Sequence, residues 1–245
     1  MLRTATHPNW DVEFFLPQEG YLAELVEAFS AETRSQFLQM SQIRTVRART
    51  VLAVDGQEAA EIGFVLSGIL AMSKHLPDGR VSIAGLLLPN DMYGRISSGP
   101  SQHQVEALSE THVLSFKRSL FQSLLLKEPD ATQLLLAHVL DELEAAREWT
   151  LLLNGSRVVQ RVASFLVLLV RRSGGHLASL PEPVQAGLSR EDLASYLGTR
   201  PESLSRAFHE LADKKIIRIL DPSEFEILDL QALLDVSGQD LITSE

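Results

Sequence analysis

The side chains whose types and spacing suit the most specific chemistry lie in residues 188–219, LSREDLASYLGTRPESLSRAFHELADKKIIRI. In the second half of this stretch, apolar residues at 204, 208 and 211 have helical spacing and predict a buried face. The polar residues that this pattern leaves outward or flanking are Glu202, Ser203, Ser205, Arg206 and His209. A helix with such a face offers a partner both hydrogen-bond donors and acceptors.

The flanking residues predict how that helix is held. Ser189 is a good N-cap for a first short helix, the pair 198–199 (Gly-Thr) predicts a tight turn, and Pro201 suits the first position of the second helix. The segments 216–219 and 225–228 predict two short strands. Two short helices, a tight turn and a following wing indicate a winged helix-turn-helix, whose second helix enters the major groove of DNA. An ordinary helical hairpin is the alternative.

The charge of the chain is unevenly distributed. The whole protein has a formal net charge of −10, which by itself argues against a nucleic-acid binder. Residues 155–220, however, contain ten basic and six acidic residues and carry +4. Attraction to phosphate acts over about a Debye length, ~10 Å at 0.1 M salt, so an acidic body with a basic module is compatible with DNA binding. A chance fluctuation in a mixed surface is the alternative.

Residues 21–116 show two different sequence patterns. Residues 21–40 have apolar positions at helical spacing, whereas residues 43–116 alternate short β-prone runs with turn signals. Such short strands with frequent turns favour an antiparallel barrel or jelly roll. Further on, residues 158–170 predict an apolar helix, and residues 176–187 predict a loop.

A long helix is predicted between these parts, from Pro129 to the Asn-Gly pair at 154–155. Its apolar positions step alternately by three and four residues, which is the seam of a helix that packs against a partner helix. The predicted dimer-interface residues are Leu136, Val139, Leu143, Ala146, Thr150 and Leu153. A single helix buried on its own domain is the alternative.

Several of these segments resemble one family, the bacterial transcription regulators of the cyclic-AMP receptor protein/FNR (Crp/Fnr) type. Residues 202–206 (ESLSR) are similar to the recognition-helix signature E-x-x-S-R of its FNR branch. The spaced glycines of the family's β-roll are matched by four further segments: Asp55-Gly56-Gln57, Phe64-Val65-Leu66-Ser67-Gly68, Asp78-Gly79-Arg80 and Asn90-Asp91-Met92-Tyr93-Gly94. The long helix from Asp130 matches the family's dimer helix.

The resemblance implies an α+β protein with three parts. These are a sensory antiparallel β-roll of the cyclic-nucleotide-binding jelly-roll type with N-terminal helices (1–128), a dimerisation helix (129–154) and a winged helix-turn-helix (155–245). It implies a homodimeric transcription activator that binds a palindrome and works with RNA polymerase. The alternative is a ligand-binding β-barrel sensor that signals through protein contacts.

The resemblance also implies roles for individual residues. Arg206 falls where the family places a guanine-reading arginine, and its guanidinium can donate bidentately to guanine O6 and N7. Glu202 falls where the family's glutamate accepts from a cytosine amino group, and Ser205 implies a half-site of the TTGA type. Ser203 lies among them on the predicted DNA-binding face. Phosphate contacts are expected from four residues at helix starts, Ser189, Arg190, Thr199 and Arg200. Arg200 suits a solvated surface position equally well.

The family pattern fails at the effector site. In cyclic-AMP-binding members a glutamate for the ribose follows the glycine turn, and an Arg-Ser pair further on binds the cyclic phosphate. Here Arg95 follows Gly94, and residues 101–105 (SQHQV) hold no such pair. Because phosphate loses its charge-assisted bonds without a cation, cyclic AMP is not expected. Tyr93, Gly94 and Arg95 form the expected pocket, in which Arg95 meets another anion or is a surface charge.

Other cofactors are limited by composition. The sequence has no cysteine, which excludes cysteine-ligated iron–sulfur clusters, thiolate zinc sites and disulfides. Haem is a lesser candidate because haem-sensing relatives use His or Met ligands, although a lone histidine is more often a surface or core residue. The histidines in question are His75, His103, His112 and His138. A regulator with no small effector, controlled by its abundance, is the other alternative.

Enzymatic and membrane functions are not expected. The spacings G-x-S-x-G, H-E-x-x-H, Walker A and G-x-G-x-x-G do not occur, so we predict neither catalytic residues nor a metal site. Residues 1–11 lack the apolar core of a signal peptide, and the densest apolar run, 165–170, is far shorter than the roughly 20 residues of a membrane span. A cytoplasmic location is therefore expected.

Overall fold

The computed structural model describes residues 12–76, 79, 81–172 and 183–238. The chain divides into two compact units, Met1–Ala145 and Ala146–Glu245. Asp78 and Arg80 of the predicted glycine turn, and residues 176–182 of the predicted loop, lie outside the described residues. Within the described ranges, no helix is long and apolar enough to cross a membrane.

The first unit begins with short helices and continues into β-structure. Its helices before and after the strands are α1 (Val12–Phe15), α2 (Tyr21–Glu27), α3 (Ala31–Met40) and α4 (Arg118–Leu125). Its strands are β1 (Gln42–Val46), β2 (Val51–Ala53), β3 (Glu61–Ser67), β4 (Leu70–His75), β5 (Val81–Leu87), β6 (Met92–Tyr93), β7 (Gln104–Ala107) and β8 (Thr111–Lys117).

These strands form two four-stranded sheets of orders β1-β8-β3-β6 and β2-β7-β4-β5, all paired antiparallel. The predicted antiparallel β-roll is therefore confirmed. Its interior is filled by side chains that include Val65, Leu70, Tyr93 and Val113. A second apolar cluster joins the helices to β3 and β8 through close aromatic contacts, including Phe116 on Phe121 with ring centroids 4.8 Å apart. Burial of these apolar faces is what holds the helices on the roll.

The long helix α5 (Pro129–Gly155) belongs to the first unit up to Ala145 and to the second from Ala146. Pro129 occupies its first position, where the missing proline N–H costs no intrahelical bond. The helix has 27 residues because it includes Asn154 and Gly155, the pair at which the sequence predicts its end.

The second unit consists of helices and one small sheet. Its elements after α5 are α6 (Val158–Arg172), β9 (Pro183–Gln185), α7 (Arg190–Tyr196), α8 (Pro201–Asp213), β10 (Ile217–Asp221), β11 (Glu224–Ile227) and α9 (Leu230–Ser237). The buried faces of α6 and α8 pack against each other, and α6 also packs on α9. The predicted winged helix-turn-helix is confirmed as α7, α8 and the β10–β11 hairpin.

One sequence-based expectation in this unit was wrong. Residues 176–187 were predicted to be a loop, but residues 183–185 form β9, which pairs antiparallel with β11 and completes the sheet order β10-β11-β9. Val184 is buried opposite Phe225 in this sheet. A three-residue strand that starts at a proline gives no sequence signal of its own, because it forms only where β11 offers an edge.

Candidate nucleic-acid interface

The first helix of the motif, α7, begins and ends as its sequence predicts. Ser189 is its N-cap: the Ser189 hydroxyl accepts from the Asp192 backbone N–H at 3.1 Å and donates to the Asp192 carboxylate at 2.6 Å. The turn follows at Gly198, whose φ of 59° is in the left-handed region that favours glycine. Leu193, Ala194 and Tyr196 are buried, so α7 is fixed to the core of the unit.

The second helix, α8, separates its apolar and polar faces. Leu204, Phe208 and Leu211 are fully buried, while Glu202 and Arg206 are exposed. These two residues are four positions apart and therefore share one helix face. The Arg206 guanidinium donates to the Ser203 hydroxyl at 3.1 Å, one turn earlier. The structure thus presents a carboxylate and a guanidinium together on a face held from behind by an apolar core.

The core behind α8 includes an unexpected arginine. The rings of Phe208 and Phe225 are stacked with centroids 4.5 Å apart, and the Arg190 guanidinium carbon lies 4.1 Å from the Phe208 ring centroid. Arg190 is half-buried, and its Nη1 has no hydrogen-bond partner among the residues that the structure describes. Burial lowers the pKa of Arg190, while the nearby Asp221 carboxylate opposes this shift. The side chain therefore ties the start of α7 to α8 and the wing by a cation–π contact.

The remaining predicted DNA contacts lie along the same motif. Arg200 is exposed and is the N-cap of α8, directly before Pro201 at the first helical turn. Thr199, Ser203 and Ser205 are half-buried. All eight predicted residues thus lie on α7, the turn or α8, and their roles toward bases and phosphates remain predictions.

Comparison with known proteins agrees with this geometry. Residues 160–236 match the family model of the Crp-like helix-turn-helix domain, and residues 43–128 match that of the cyclic nucleotide-binding domain. The chain is 31% identical over 205 residues to the transcriptional activator protein FnrL of Cereibacter sphaeroides, covering 82% of this chain and 83% of the relative. The chain belongs to the Crp/Fnr family of transcription regulators.

Two further members of the Crp/Fnr family support the assignment. The nitrogen fixation regulation protein FixK of Azorhizobium caulinodans is 33% identical over 179 residues, covering 73% of this chain and 72% of the relative. The solved structure of FixK2 from Bradyrhizobium japonicum superposes with a TM-score of 0.73 at 26% identity, covering 82% of this chain and 98% of FixK2. This chain is a DNA-binding transcription regulator, and the helix-turn-helix match favours that function over signalling through protein contacts alone.

The three residues predicted to form an effector pocket make contacts within this Crp/Fnr β-roll. Tyr93 is buried, and its hydroxyl and that of Ser115 are 2.6 Å apart; burial raises the pKa of Tyr93 to about 12. Gly94 has φ 87°, and a Cβ there would lie 2.8 Å from the Ile62 Cγ2 atom, so only glycine fits. Arg95 donates to the Ser97 hydroxyl at 2.7 Å and to the Pro100 carbonyl at 3.2 Å. The Arg95 guanidinium is thus engaged by its own loop, and the absence of a cyclic nucleotide as effector stays a prediction.

The four histidines considered as lesser candidates for haem ligation are on separate elements. His75 is exposed at the end of β4, and His103 precedes β7. His112 on β8 bonds the Ser67 hydroxyl at 3.0 Å, and His138 on α5 stacks on Tyr21 with ring centroids 3.7 Å apart. Among the described residues, no three His, Cys, Asp or Glu side chains gather as metal ligands. Haem binding therefore remains an untested hypothesis.

The predicted dimer seam lies on the surface of the single chain. Leu136, Val139 and Leu143 are 60%, 47% and 45% exposed. Ala146 and Thr150 are also exposed, and Leu153 is half-buried. An apolar groove of about 790 Å³ lies at the N-terminal end of this seam, and its lining residues are Ile96, Gln122, Leu125, Leu126, Pro129, Thr132, Gln133 and Leu136. Pro129 and Thr132 continue the same three–four spacing toward Leu136, which belongs both to the groove and to the predicted seam.

Sequence reasoning missed two features of the interface. It treated Arg190 as a phosphate contact without foreseeing its packing on Phe208, since a helix-start arginine gives no sign of the ring that it will meet. It also counted Arg161 only as part of the basic module. In the structure the Arg161 guanidinium donates to the Leu197 and Gly198 carbonyls of the turn. Its position among the apolar residues Val158, Val159, Val162 and Ala163 of α6 was an available signal.

Proposed function

We propose that this protein is a cytoplasmic transcription activator that binds a palindromic DNA site as a homodimer. The observation that carries the proposal is the exposed Glu202–Arg206 face of α8, held on a buried apolar core. Arg206 is expected to donate to guanine O6 and N7, and Glu202 to accept from a cytosine amino group, in half-sites of the TTGA type. Arg200, Thr199 and Ser189 are expected to contact phosphates.

The homodimer follows from two arguments. Exposed apolar side chains such as Leu136, Val139 and Leu143, beside an apolar groove, mark an interaction site. A symmetric dimer also places two recognition helices in successive major grooves, about 34 Å apart, which a palindrome requires. FnrL is a transcriptional activator by name, which supports activation by this chain, and an activator is expected to work with RNA polymerase.

The decisive experiment is selection of DNA from a random pool by the purified full-length protein. We expect an enriched palindrome with TTGA-type half-sites spaced by about one helical turn. Enrichment of no sequence, or of a single unpaired half-site, contradicts the proposal. Mass spectrometry of the same preparation tests for a co-purified effector such as haem.

A variant tests the dimer separately. Leu143→Glu places a charge in the α5 seam and should give monomers that no longer bind the selected palindrome. The matched control, Ala137→Glu, adds the same charge at an exposed position of the same helix outside the seam and should remain dimeric. Sedimentation of each protein with and without DNA measures both states. A wild-type protein that is monomeric in both conditions contradicts the assignment.

A further inference from the structure

The turn between α7 and α8 is a Schellman motif. The Gly198 N–H donates to the Ser195 carbonyl at 3.2 Å, and the Thr199 N–H donates to the Ala194 carbonyl at 2.9 Å. Carbonyl groups at the end of a helix lack intrahelical partners and carry the negative end of the helix dipole. The motif satisfies the carbonyls of Ala194 and Ser195, while the carbonyls of Leu197, the C-cap, and of Gly198, which follows it, accept from another donor.

That donor is Arg161 on α6. Its Nη1 lies 2.6 Å from the Leu197 carbonyl oxygen and 3.1 Å from that of Gly198, so one nitrogen donates to both carbonyls. The Arg161 side chain is half-buried. A Cβ on residue 198 would lie 3.4 Å from the same nitrogen, so the glycine leaves the guanidinium room to approach the backbone. A cation at this place also complements the dipole of α7.

The position of this contact determines what it can do. The Gly198 carbonyl is two residues before Arg200, the N-cap of α8, so holding it restricts the backbone from which the recognition helix starts. The guanidinium contacts protein carbonyls, and in this position the Nη1 donors are already in use. Arg161 therefore differs from the exposed Arg200, whose side chain lies on the surface.

We propose that Arg161 is a positioning residue for sequence discrimination: it clamps the α7–α8 turn so that α8 presents Glu202 and Arg206 at a fixed angle, and it contributes nothing to phosphate binding. This inference rests on the proposed function of α8 as the base-reading helix. Base readout needs hydrogen bonds with defined geometry, whereas nonspecific binding depends on charge. Loss of the clamp should therefore lower specific affinity much more than nonspecific affinity.

The test compares two DNA duplexes of equal length, the selected palindrome and a shuffled sequence, with full-length protein at several salt concentrations. Arg161→Ala should lower the ratio of specific to nonspecific affinity by about tenfold, within the range for the loss of one good base contact. The salt slope on shuffled DNA should not change. Arg161→Lys, which keeps a cation able to reach a carbonyl, should recover part of the ratio.

The matched control is Arg171→Ala, which removes the same charge from an exposed position on the same helix and should leave the ratio intact. The inference is overturned if Arg161→Ala keeps the ratio and lowers the salt slope by about 0.9, the value for one lost phosphate contact. An equal fall in the ratio for Arg171→Ala overturns it as well.

Folding is checked by thermal melting monitored by circular dichroism. If Arg161→Ala does not fold, Arg161→Lys carries the test: a smaller fall of the same ratio supports the clamp, and an unchanged ratio refutes it. Failure of the proposed function is a different result, because a wild-type protein with no preferred sequence refutes base reading itself. A wild-type preference that both Arg161 variants retain refutes only the role of Arg161.

Discussion

The β-roll and the helix-turn-helix engage their polar side chains differently at the positions where Crp/Fnr proteins meet a ligand. In the β-roll, Tyr93 bonds with Ser115 in the core, and Arg95 bonds with its own loop. On α8, Glu202 and Arg206 are exposed, and Arg206 donates to Ser203 on the same helix. The first arrangement maintains a fold, whereas the second leaves charged groups accessible to DNA.

This difference shows that side chains at the family's ligand positions are not equally accessible in every region of one member. Both regions match family models, yet the α8 face presents Glu202 and Arg206 to solvent, whereas Tyr93 is buried and the exposed Arg95 bonds to its own loop. A hydrogen bond that a side chain makes within its domain has to be broken before a ligand can use the same donor, which reduces the net gain on binding. Mutations of these polar side chains should therefore change stability in the β-roll and DNA specificity on α8.

The largest effect is expected for the support beneath the α8 face. Phe208→Ala removes a fully buried ring stacked on Phe225 and should destabilise the second unit by about 3–5 kcal/mol. Denaturant unfolding monitored by circular dichroism measures the loss. Phe208→Leu keeps most of the buried volume and should lose less. Equal stability of Phe208→Ala and the wild type contradicts the packing described here.

Substitution of Arg206 should have the next largest effect. It should change DNA binding and leave stability unchanged. Arg206→Ala should cost about 1–3 kcal/mol of specific affinity and flatten the preference at one guanine of each half-site. Arg206→Lys keeps the charge but loses the bidentate geometry, so its nonspecific affinity should match the wild type while the preference falls. Binding to the selected palindrome and to single-base variants of it measures both. Full preference in Arg206→Ala means that α8 does not read the bases.

A smaller effect is expected in the β-roll, and it should concern stability and not DNA specificity. Tyr93→Phe removes a buried hydroxyl and leaves the Ser115 hydroxyl without that partner, which should cost about 1 kcal/mol of stability. The ratio of specific to nonspecific DNA affinity should be unchanged. Tyr93→Phe combined with Ser115→Ala removes both groups and should recover part of the loss, as a double-mutant cycle can measure. An altered DNA preference in the single variant shows that Tyr93 belongs to a signalling site.

The smallest effect is expected for Arg95. Because it bonds only within an exposed loop, Arg95→Ala should change stability by no more than about 0.5 kcal/mol. Calorimetry with millimolar cyclic AMP or cyclic GMP should show no saturable heat for either the wild type or this variant. A micromolar isotherm in the wild type that disappears in Arg95→Ala, together with raised DNA affinity, would falsify the distinction between the two regions.

The sequence by itself determined the elements whose signals are local. Helical spacing at 204, 208 and 211, the cap at Ser189 and the glycine at 198 set the helices and the turn, because each depends on neighbours a few residues away. The alternation of short β-prone runs and turn signals in residues 43–116 likewise predicted the β-roll. The exposed face of α8 followed from the same periodicity, since a helix that buries one stripe leaves the opposite one outside.

Only the tertiary structure decided which side chains are engaged. Arg161 reaches a carbonyl 36 residues away, Arg190 meets a ring of another helix, and β9 exists because β11 offers it an edge. The donors of an arginine are the same in every context, so the residue type does not show whether they will bond backbone, ring or phosphate. Their partners are chosen when distant segments pack, because a buried polar group is stable only with a compensating contact.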